Sequence, residues 1–519
     1  MRAGRSSGSS GPGSDGAGVA GHLARNTAYQ LLAQALPAGA ILAAVPFLVR
    51  RLGPDLYGVF ALVVTAVLMF GMFDLGMSRA TTRYAARSFA ARSHDDATAY
   101  FWGAVGVLLV IGVTAAVSLY AAVPWLVQGA LRVQPALRRD AVEALRTIVA
   151  VVPAVTTAAT FRGYLEASGR FLHTSLISSA GAVGNYAAPV AAVALGGGVV
   201  AAVAAVALVR VLTCAAYLCV ALACRDRPGL RPRTAVRHLR DLASFGGWLL
   251  VSNVLGTAMA YGDRFLLGAW LGLAAVTAYT VPLDVVLKSQ VPIVCLCTVL
   301  FPLLTRLDQQ GSPGFDSAYR ASSAAAFGLM APAAAGLVIL APPLMGAWLG
   351  AQCSREMVLA AQVFLAGIPL QAMTTLAWAG LHARGRTDLT ALAHTVEAPV
   401  FFAALFFAAR RYGVPGAAFA WLGRIMLDFL LMSLFLRRAN SGSWRWSGEL
   451  LALAFPFAAV LLAELPAAAA FGAGLVLCTL GWAWAWRCLL RSGERSQLRA
   501  LLARVSAQVL RPAAKAGRP

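Results

Sequence analysis

Apolar runs long enough to cross a membrane, joined by short arginine-bearing loops, fill the chain between residues 26 and 491. A spanning helix needs roughly 20 mostly apolar residues, set by the thickness of the hydrocarbon layer and the helical rise. Residues 99–123, 171–209 and 321–354 contain no Asp, Glu, Lys or Arg at all. The last two are long enough for a second pass or a broken helix, and Pro189, Gly196–Gly198, Pro332, Pro342 and Pro343 offer break points. Only 12% of residues are charged, where a soluble protein carries about a quarter. The predicted fold class is therefore an all-α polytopic membrane protein.

Fourteen spans fit best, within a range of twelve to fourteen. Six lie near 27–49, 58–78, 99–123, 146–167, 173–195 and 199–224. Six more lie near 245–270, 274–304, 320–348, 357–382, 388–409 and 413–436, and two near 450–466 and 468–488. With the N-terminus inside, 30 of the 43 basic residues fall in cytoplasmic loops and tails, 9 in outer loops and 4 within spans. Excess Lys and Arg on the cytoplasmic side sets orientation, so both termini are expected in the cytoplasm. The expected divisions are a disordered tail (1–24), a first lobe (25–224), a basic cytoplasmic linker (225–243), a second lobe (244–438), two further spans (439–490) and a basic tail (491–519). In that last tail Leu498, Leu501, Leu502, Val505 and Val509 recur at helical spacing, the pattern of a helix lying on an anionic leaflet.

Several chemistries are set aside. Basic residues are spread over many loops and form no single patch, against nucleic-acid binding. The eight cysteines form no CxxC pair and the histidines no HExxH, so neither a disulfide framework nor a zinc site is expected. Both lysines lack the P-loop's preceding glycine: Leu287 precedes Lys288 and Ala514 precedes Lys515. The longest outer loop, about 124–145, offers only Asp140 and Glu143 as acids, too little for a membrane glycosyltransferase or ligase.

Charges inside apolar runs are the informative exceptions. Arg210, Asp263, Arg264, Asp284, Lys288, Glu397, Arg424 and Asp428 each sit within a predicted span. Such a charge costs roughly 2.5–3.5 kcal/mol on insertion scales, so it faces protein or water, not lipid. Asp284 and Lys288 are four residues apart, as are Arg424 and Asp428, so each couple either pairs with itself or serves a ligand. Asp263 and Arg264 are adjacent, point to different faces, and cannot neutralise each other in that way. Glu397 and Asp74 are isolated acids that suit proton or sodium coupling, although Asp74 also stands where it would bond a helix terminus or Arg79.

The two predicted lobes echo each other. Phe47-Leu48-Val49-Arg50-Arg51-Leu52-Gly53 leads to Tyr57, and Phe265-Leu266-Leu267, followed by Leu271-Gly272, leads to Tyr279. Each lobe starts inside, so the repeats would be parallel, related about the membrane normal. The segment with Asn26, Pro46, Arg51-Leu52-Gly53, Tyr57-Gly58, Asp74-Leu75-Gly76-Met77, Ala80 and Arg83 resembles the N-terminal part of Wzx-type polysaccharide (O-antigen) flippases. These belong to the multidrug/oligosaccharidyl-lipid/polysaccharide (MOP) exporter superfamily. Asp263-Arg264-Phe265-Leu266-Leu267-Gly268, Phe301-Pro302, Arg306, Gly380, Gly385-Arg386 and Tyr412-Gly413-Val414-Pro415-Gly416-Ala417-Ala418 extend the resemblance over most of the chain.

The resemblance implies two six-helix lobes around a central cavity in a bacterial inner membrane, with two added C-terminal helices. Its cargo would be an oligosaccharide on undecaprenyl pyrophosphate, with a polysaccharide polymerase or glycosyltransferases as candidate partners and no cofactor beyond a coupling proton or sodium ion. Arginine suits such cargo because its planar fork donates two hydrogen bonds to a phosphate. Arg79, Arg83, Arg210, Arg264, Lys288 and Arg424 are the candidate contacts to the pyrophosphate or sugars, with Arg79 and Arg83 at the cytoplasmic mouth. Asp74, Asp263, Asp284, Glu397 and Asp428 are the candidate coupling acids or charge partners. A drug exporter of the same superfamily is the nearest rival, but its cavity should hold acids and aromatics with few arginines. The lipid II flippase relative carries arginines in its first helix, where this chain has only Gln30 and Gln34 as polar candidates.

Overall fold

The computed structural model describes residues 14–72, 77–91, 93–131, 133–223, 247–311 and 314–438, plus five isolated positions between 469 and 479; residues 14–35 are described by backbone alone. The predicted linker 225–243, nearly all of the two added spans and the basic tail lie outside the described residues. Thirteen α-helices run through the described chain: α1 (Ser14–Met72), α2 (Met77–Ala90), α3 (His94–Trp125), α4 (Arg138–Val149), α5 (Val152–Ala167), α6 (Phe171–Ala194) and α7 (Val199–Ala223), then α8 (Gly247–Leu271), α9 (Leu273–Lys288), α10 (Val291–Gln309), α11 (Gly314–Leu349), α12 (Arg355–Ala383) and α13 (Thr387–Arg438). There is no strand among the described residues, as expected where every backbone N–H and C=O must bond within its own segment. Nine of the described helical stretches are long and apolar enough to cross a membrane, and α1 and α13 each contain a sharp turn that splits them in two.

Glycine makes those turns. Gly53 (φ 76°, ψ 166°) bends α1 and Gly272 (φ 91°, ψ 175°) separates α8 from α9. A side chain disfavours this backbone region, whereas glycine enters it freely. The Leu-Gly echo is thus a shared backbone conformation at matching places in the two halves. Gly413 (φ 65°) does the same within α13, and the chain folds back so tightly there that a Cβ on Gly416 would strike the Ala408 carbonyl.

Four expectations need correction. The first helix starts at Ser14, inside the stretch expected to be a disordered tail, because Ala17, Val19, Ala20, Leu23 and Ala24 extend a helix already nucleated by the first span. Residues 321–349 contain no break at the prolines: α11 continues through Pro332, Pro342 and Pro343 and ends only at Leu349, since packed neighbours can re-satisfy backbone groups that proline frees. Span 274–304 does break, at Ser289–Gln290, between α9 and α10. Pro292 has no N–H for the Lys288 carbonyl, and the buried Gln290 donates to the Ile368 carbonyl at 2.9 Å. Finally, the outer loop 124–145 is largely structured. A π-helical turn (Leu126–Ala130) leads into α4, which begins well before the predicted span start at 146.

Helices α1–α7 pack among themselves, as do α8–α13, and α1 bridges the halves through contacts with α8, α9, α10 and α11. The main apolar core is continuous from Leu48, Val49 and Phe60 in α1 to Val276, Phe364 and Leu422 in the second half. Near the Gly53 and Gly272 turns the halves are tightly joined. Thr277 donates to the Pro54 carbonyl at 2.6 Å, Arg50 to the Trp348 carbonyl at 3.1 Å, and the Trp348 indole to the Leu42 carbonyl at 2.8 Å. At the opposite end the first half has its own cluster, Ala85, Phe101, Phe161, Tyr164 and Tyr217 among them. The second half is tied there by Arg384, which reaches Asp308 at 3.4 Å and stacks over Phe315.

A Cβ on Gly58 would collide with the Leu273 backbone carbonyl, whereas one on Gly39 meets nothing within 4 Å. Gly58→Ala should therefore lower the thermal unfolding midpoint of the detergent-solubilised protein, by an amount corresponding to about 1–3 kcal/mol of overpacking. Gly39→Ala should leave it unchanged or slightly raise it. Equal midpoints for the two variants would show that the α1–α9 contact is looser than described.

Candidate functional site

The mid-span charges of the second half come from three of its helices. Asp263 and Arg264 come from α8, Asp284 and Lys288 from α9, Glu397, Arg424 and Asp428 from α13. Because Asp263 and Arg264 are neighbours on one helix, they point apart and recruit different partners. Arg264, 2% exposed, donates to Asp284 Oδ1 at 2.5 Å. Asp263, fully buried, accepts from the Tyr279 hydroxyl at 2.8 Å and from the Arg264 backbone N–H at 2.8 Å. Tyr279 stacks edge-on against Phe364, and Phe364 against Trp421, which carries the network into α12 and α13.

Neither i,i+4 couple pairs with itself. Asp284 bonds Arg264 across two helices, which leaves Lys288 exposed and without an ion pair among the described residues. Lys288 ends α9, where the open carbonyls at a helix C-terminus favour a cation. Arg424 turns to Glu397 at 3.5 Å and lies over the Phe401 ring. That separation is long for a charge-assisted hydrogen bond, and both Glu397 oxygens are buried with no hydrogen-bond partner. His394, Glu397 and Asp428 bring one ligand atom each within 4.8 Å of one another. This set of nitrogen and oxygen donors suits a proton or a small cation.

A cavity of about 110 Å³ opens at the seam between the halves. Its first-half wall is Ile41, Tyr57, Phe60, Thr65 and Leu68 of α1 with Tyr186 of α6; its second-half wall is Tyr261, Arg264, Asp284, Leu287 and Lys288. Arg210 of α7 is half-buried and lies within electrostatic reach of Tyr186. The wall thus offers a guanidinium, an ammonium, a carboxylate and three phenols on an apolar background, a mixture that fits a ligand both anionic and rich in hydroxyls.

The other predicted residues lie elsewhere. Arg83 is exposed on α2, away from the cavity wall, and Arg79 is on the same helix, described by backbone alone. Asp74 lies outside the described residues. Arg424, Glu397 and Asp428 form a separate group within the second half. Sequence reasoning missed His394 and the tyrosines. The His-x-x-Glu spacing of 394 and 397 on one helix was the available signal; a tyrosine inside an apolar span was the other.

Comparison with known proteins identifies the architecture. The family model described as "Polysaccharide biosynthesis protein" matches residues 23–308. The chain belongs to the polysaccharide biosynthesis protein family. A Shigella flexneri protein named "Putative O-antigen transporter" is 24% identical over 420 residues, 81% of this chain and 99% of that one. Among solved structures, the lipid II flippase MurJ in an inward closed conformation aligns with a TM-score of 0.68 at 11% identity, covering 89% of this chain and 99% of that one. An inward-facing multidrug resistance MATE transporter of the MOP superfamily aligns with a TM-score of 0.65 at 16% identity, covering 79% and 96%. This polysaccharide biosynthesis family member therefore has the fold of the MOP superfamily, as the sequence resemblance implied.

The Arg264–Asp284 bond is open to a double-mutant cycle. Removing one partner of a buried pair costs about 3–5 kcal/mol, and the figure here should fall toward the lower end because the Asp284 side chain is 33% exposed. Arg264→Leu and Asp284→Leu combined should destabilise by at least about 1 kcal/mol less than the sum of the single changes, read from thermal unfolding. Strict additivity would rule the pairing out.

Proposed function

We propose that the protein flips an undecaprenyl-pyrophosphate-linked oligosaccharide from the inner to the outer leaflet of a bacterial inner membrane, for cell-surface polysaccharide synthesis. The observation that carries this reading is the seam cavity, where Arg264 and Lys288 stand beside Tyr57, Tyr186 and Tyr261. Arginine and lysine offset the lost hydration of a phosphate, and phenols stack on sugars and bond their hydroxyls. The matches to a polysaccharide biosynthesis family and to a protein named for O-antigen transport support the same cargo class.

At about 110 Å³ the cavity is smaller than the roughly 300–1,000 Å³ of typical ligand sites, so loading requires the halves to part. The halves are joined at the Gly53–Gly272 end and keep separate clusters at the other. In the N-inside orientation the separated end faces the cytoplasm, where lipid-linked sugars are assembled. The His394, Glu397 and Asp428 group is the proposed coupling site for a proton or sodium ion. A second reading, ion-coupled export of small molecules, is favoured by the likeness to multidrug MATE folds but leaves the cavity's Arg264 and Lys288 without a task.

A strain lacking the protein, and any redundant flippase, should lose surface polymer and accumulate completed lipid-linked repeat units on the inner leaflet. Unchanged polymer and lipid pools would turn the assignment to small-molecule export. Lys288→Gln, at an exposed and unpaired position, should cut polymer output at least several-fold at unchanged membrane abundance. Glu397→Gln, which mimics a permanently protonated acid, should make flux insensitive to an imposed proton or sodium gradient. A Glu397→Gln protein that still follows either gradient would place coupling elsewhere.

A further inference from the structure

A second cavity, about 620 Å³, lies on the flank of the first half between the end of α3 and the open face of α4. Its polar lining is Arg138, Arg139, Glu143, Arg146 and Thr147 from α4, with Gln128 from the π-helical turn and Tyr120 from α3. No part of the seam network reaches it.

The local sequence builds this groove. Pro124 deprives the Tyr120 carbonyl of its helical donor, and the helix widens into a π turn over Leu126–Ala130. That turn displaces the next segment outward and leaves space beside α3. Helix α4 then buries Ala141, Ala144, Leu145 and Ile148, which turns its arginines toward the space. Arg146 is steadied 4.8 Å over the Tyr120 ring, and Arg138, which also lines the cavity, is held by an Nε bond to the Val133 carbonyl at 3.0 Å. None of the three arginines forms an ion pair among the described residues. Glu143 cancels one charge, and the groove keeps two net positives.

Two further facts indicate what would fill it. Tyr120 and Trp125 are exposed at the end of a long apolar helix, 47% and 69% respectively, the placement of aromatic residues at membrane headgroup depth. The basic residues also run against the usual bias. In the orientation adopted above, the nine basic residues counted as outer are Arg50, Arg51, Arg132, Arg138, Arg139, Arg146, Arg355, Arg410 and Arg411, so four of nine stand in this one loop or at its end. Charges that oppose the positive-inside rule and pair with no acid need another anion. At 620 Å³ the groove falls within the ordinary ligand-site range.

We infer that the Arg138–Arg139–Arg146 groove binds the phosphate or pyrophosphate group of a membrane lipid, its acyl or prenyl chain lying against the exposed apolar flank of α3. Guanidinium forks match phosphate oxygens two at a time, and Val110, Val113 and Val117 of α3 are exposed on the approach to the groove. The inference is independent of the cargo proposed for the seam cavity.

The test is calorimetric titration of the full-length protein in detergent with farnesyl pyrophosphate and, separately, inorganic pyrophosphate. Wild type should bind the prenyl compound at least tenfold more tightly than the inorganic ion. The double variant Arg138→Gln/Arg139→Gln, which alters one half-buried and one exposed side chain and spares the Arg146–Tyr120 contact, should weaken prenyl binding at least tenfold with an unchanged unfolding midpoint. Arg87→Gln, at an exposed position of α2 that lines neither cavity, should leave that binding intact. Equal affinity for both probes would mark a free-anion site and overturn the lipid assignment. Binding that survives in the double variant, or that Arg87→Gln removes, would overturn the location.

Discussion

An apolar bundle cannot leave a guanidinium unanswered, and the buried contact of Arg264 with Asp284 organises the second half. To make it, α8 and α9 must present one residue each across the same interface. Their connection must accordingly be short, which the single glycine at 272 allows. The neighbouring Asp263 is turned to the other side of α8 and draws Tyr279 onto it. The Tyr279–Phe364–Trp421 stack then fixes α12 and α13. One buried ion pair thus sets the register of four helices. Lost conformational freedom and desolvation make such pairs poor sources of stability, so register and chemistry are better explanations for it.

The charges are distributed unequally. Of the eight mid-span charges singled out in the sequence, seven belong to the second half, and the first half contributes Arg210 together with a largely apolar, phenolic wall. A cavity between unlike walls can grip a polar group on one side while the other slides past. The break at Ser289–Gln290 belongs to this arrangement. Irregular backbone at membrane depth is tolerated where it lines a cavity, and the break ends α9 just where Lys288 faces the seam.

Much of this was legible in the sequence, for reasons particular to each feature. Hydropathy length located the described spans because the bilayer imposes a length, and the Leu-Gly pairs at 52–53 and 271–272 announced two reversals that share a backbone conformation. The mid-span charges stood out because lipid makes each of them expensive. Partner choice was not legible. Asp284 is four residues from Lys288 yet bonds Arg264 twenty residues away, and Arg424 meets Glu397 in preference to the nearer Asp428. Spacing along one helix reports a shared face but not which helix lies opposite. The break before Pro292 was hidden for a related reason: Pro332, Pro342 and Pro343 interrupt nothing, so proline alone does not mark a break without its surroundings.

The joint between the halves at the Gly53–Gly272 end has an unusual composition. The acceptors described across it, at Leu42, Pro54 and Trp348, are main-chain carbonyls, and Gly58 brings backbone directly against backbone. Carbonyls persist whatever residue stands at those positions, so the acceptor side tolerates sequence drift. Water replaces such bonds readily at a solvent-facing rim, and each contributes only about 0.5–1.5 kcal/mol net. The joint behaves less like a weld than like a zip fastener: specific in register when closed, and undone by a force no larger than a few hydrogen bonds.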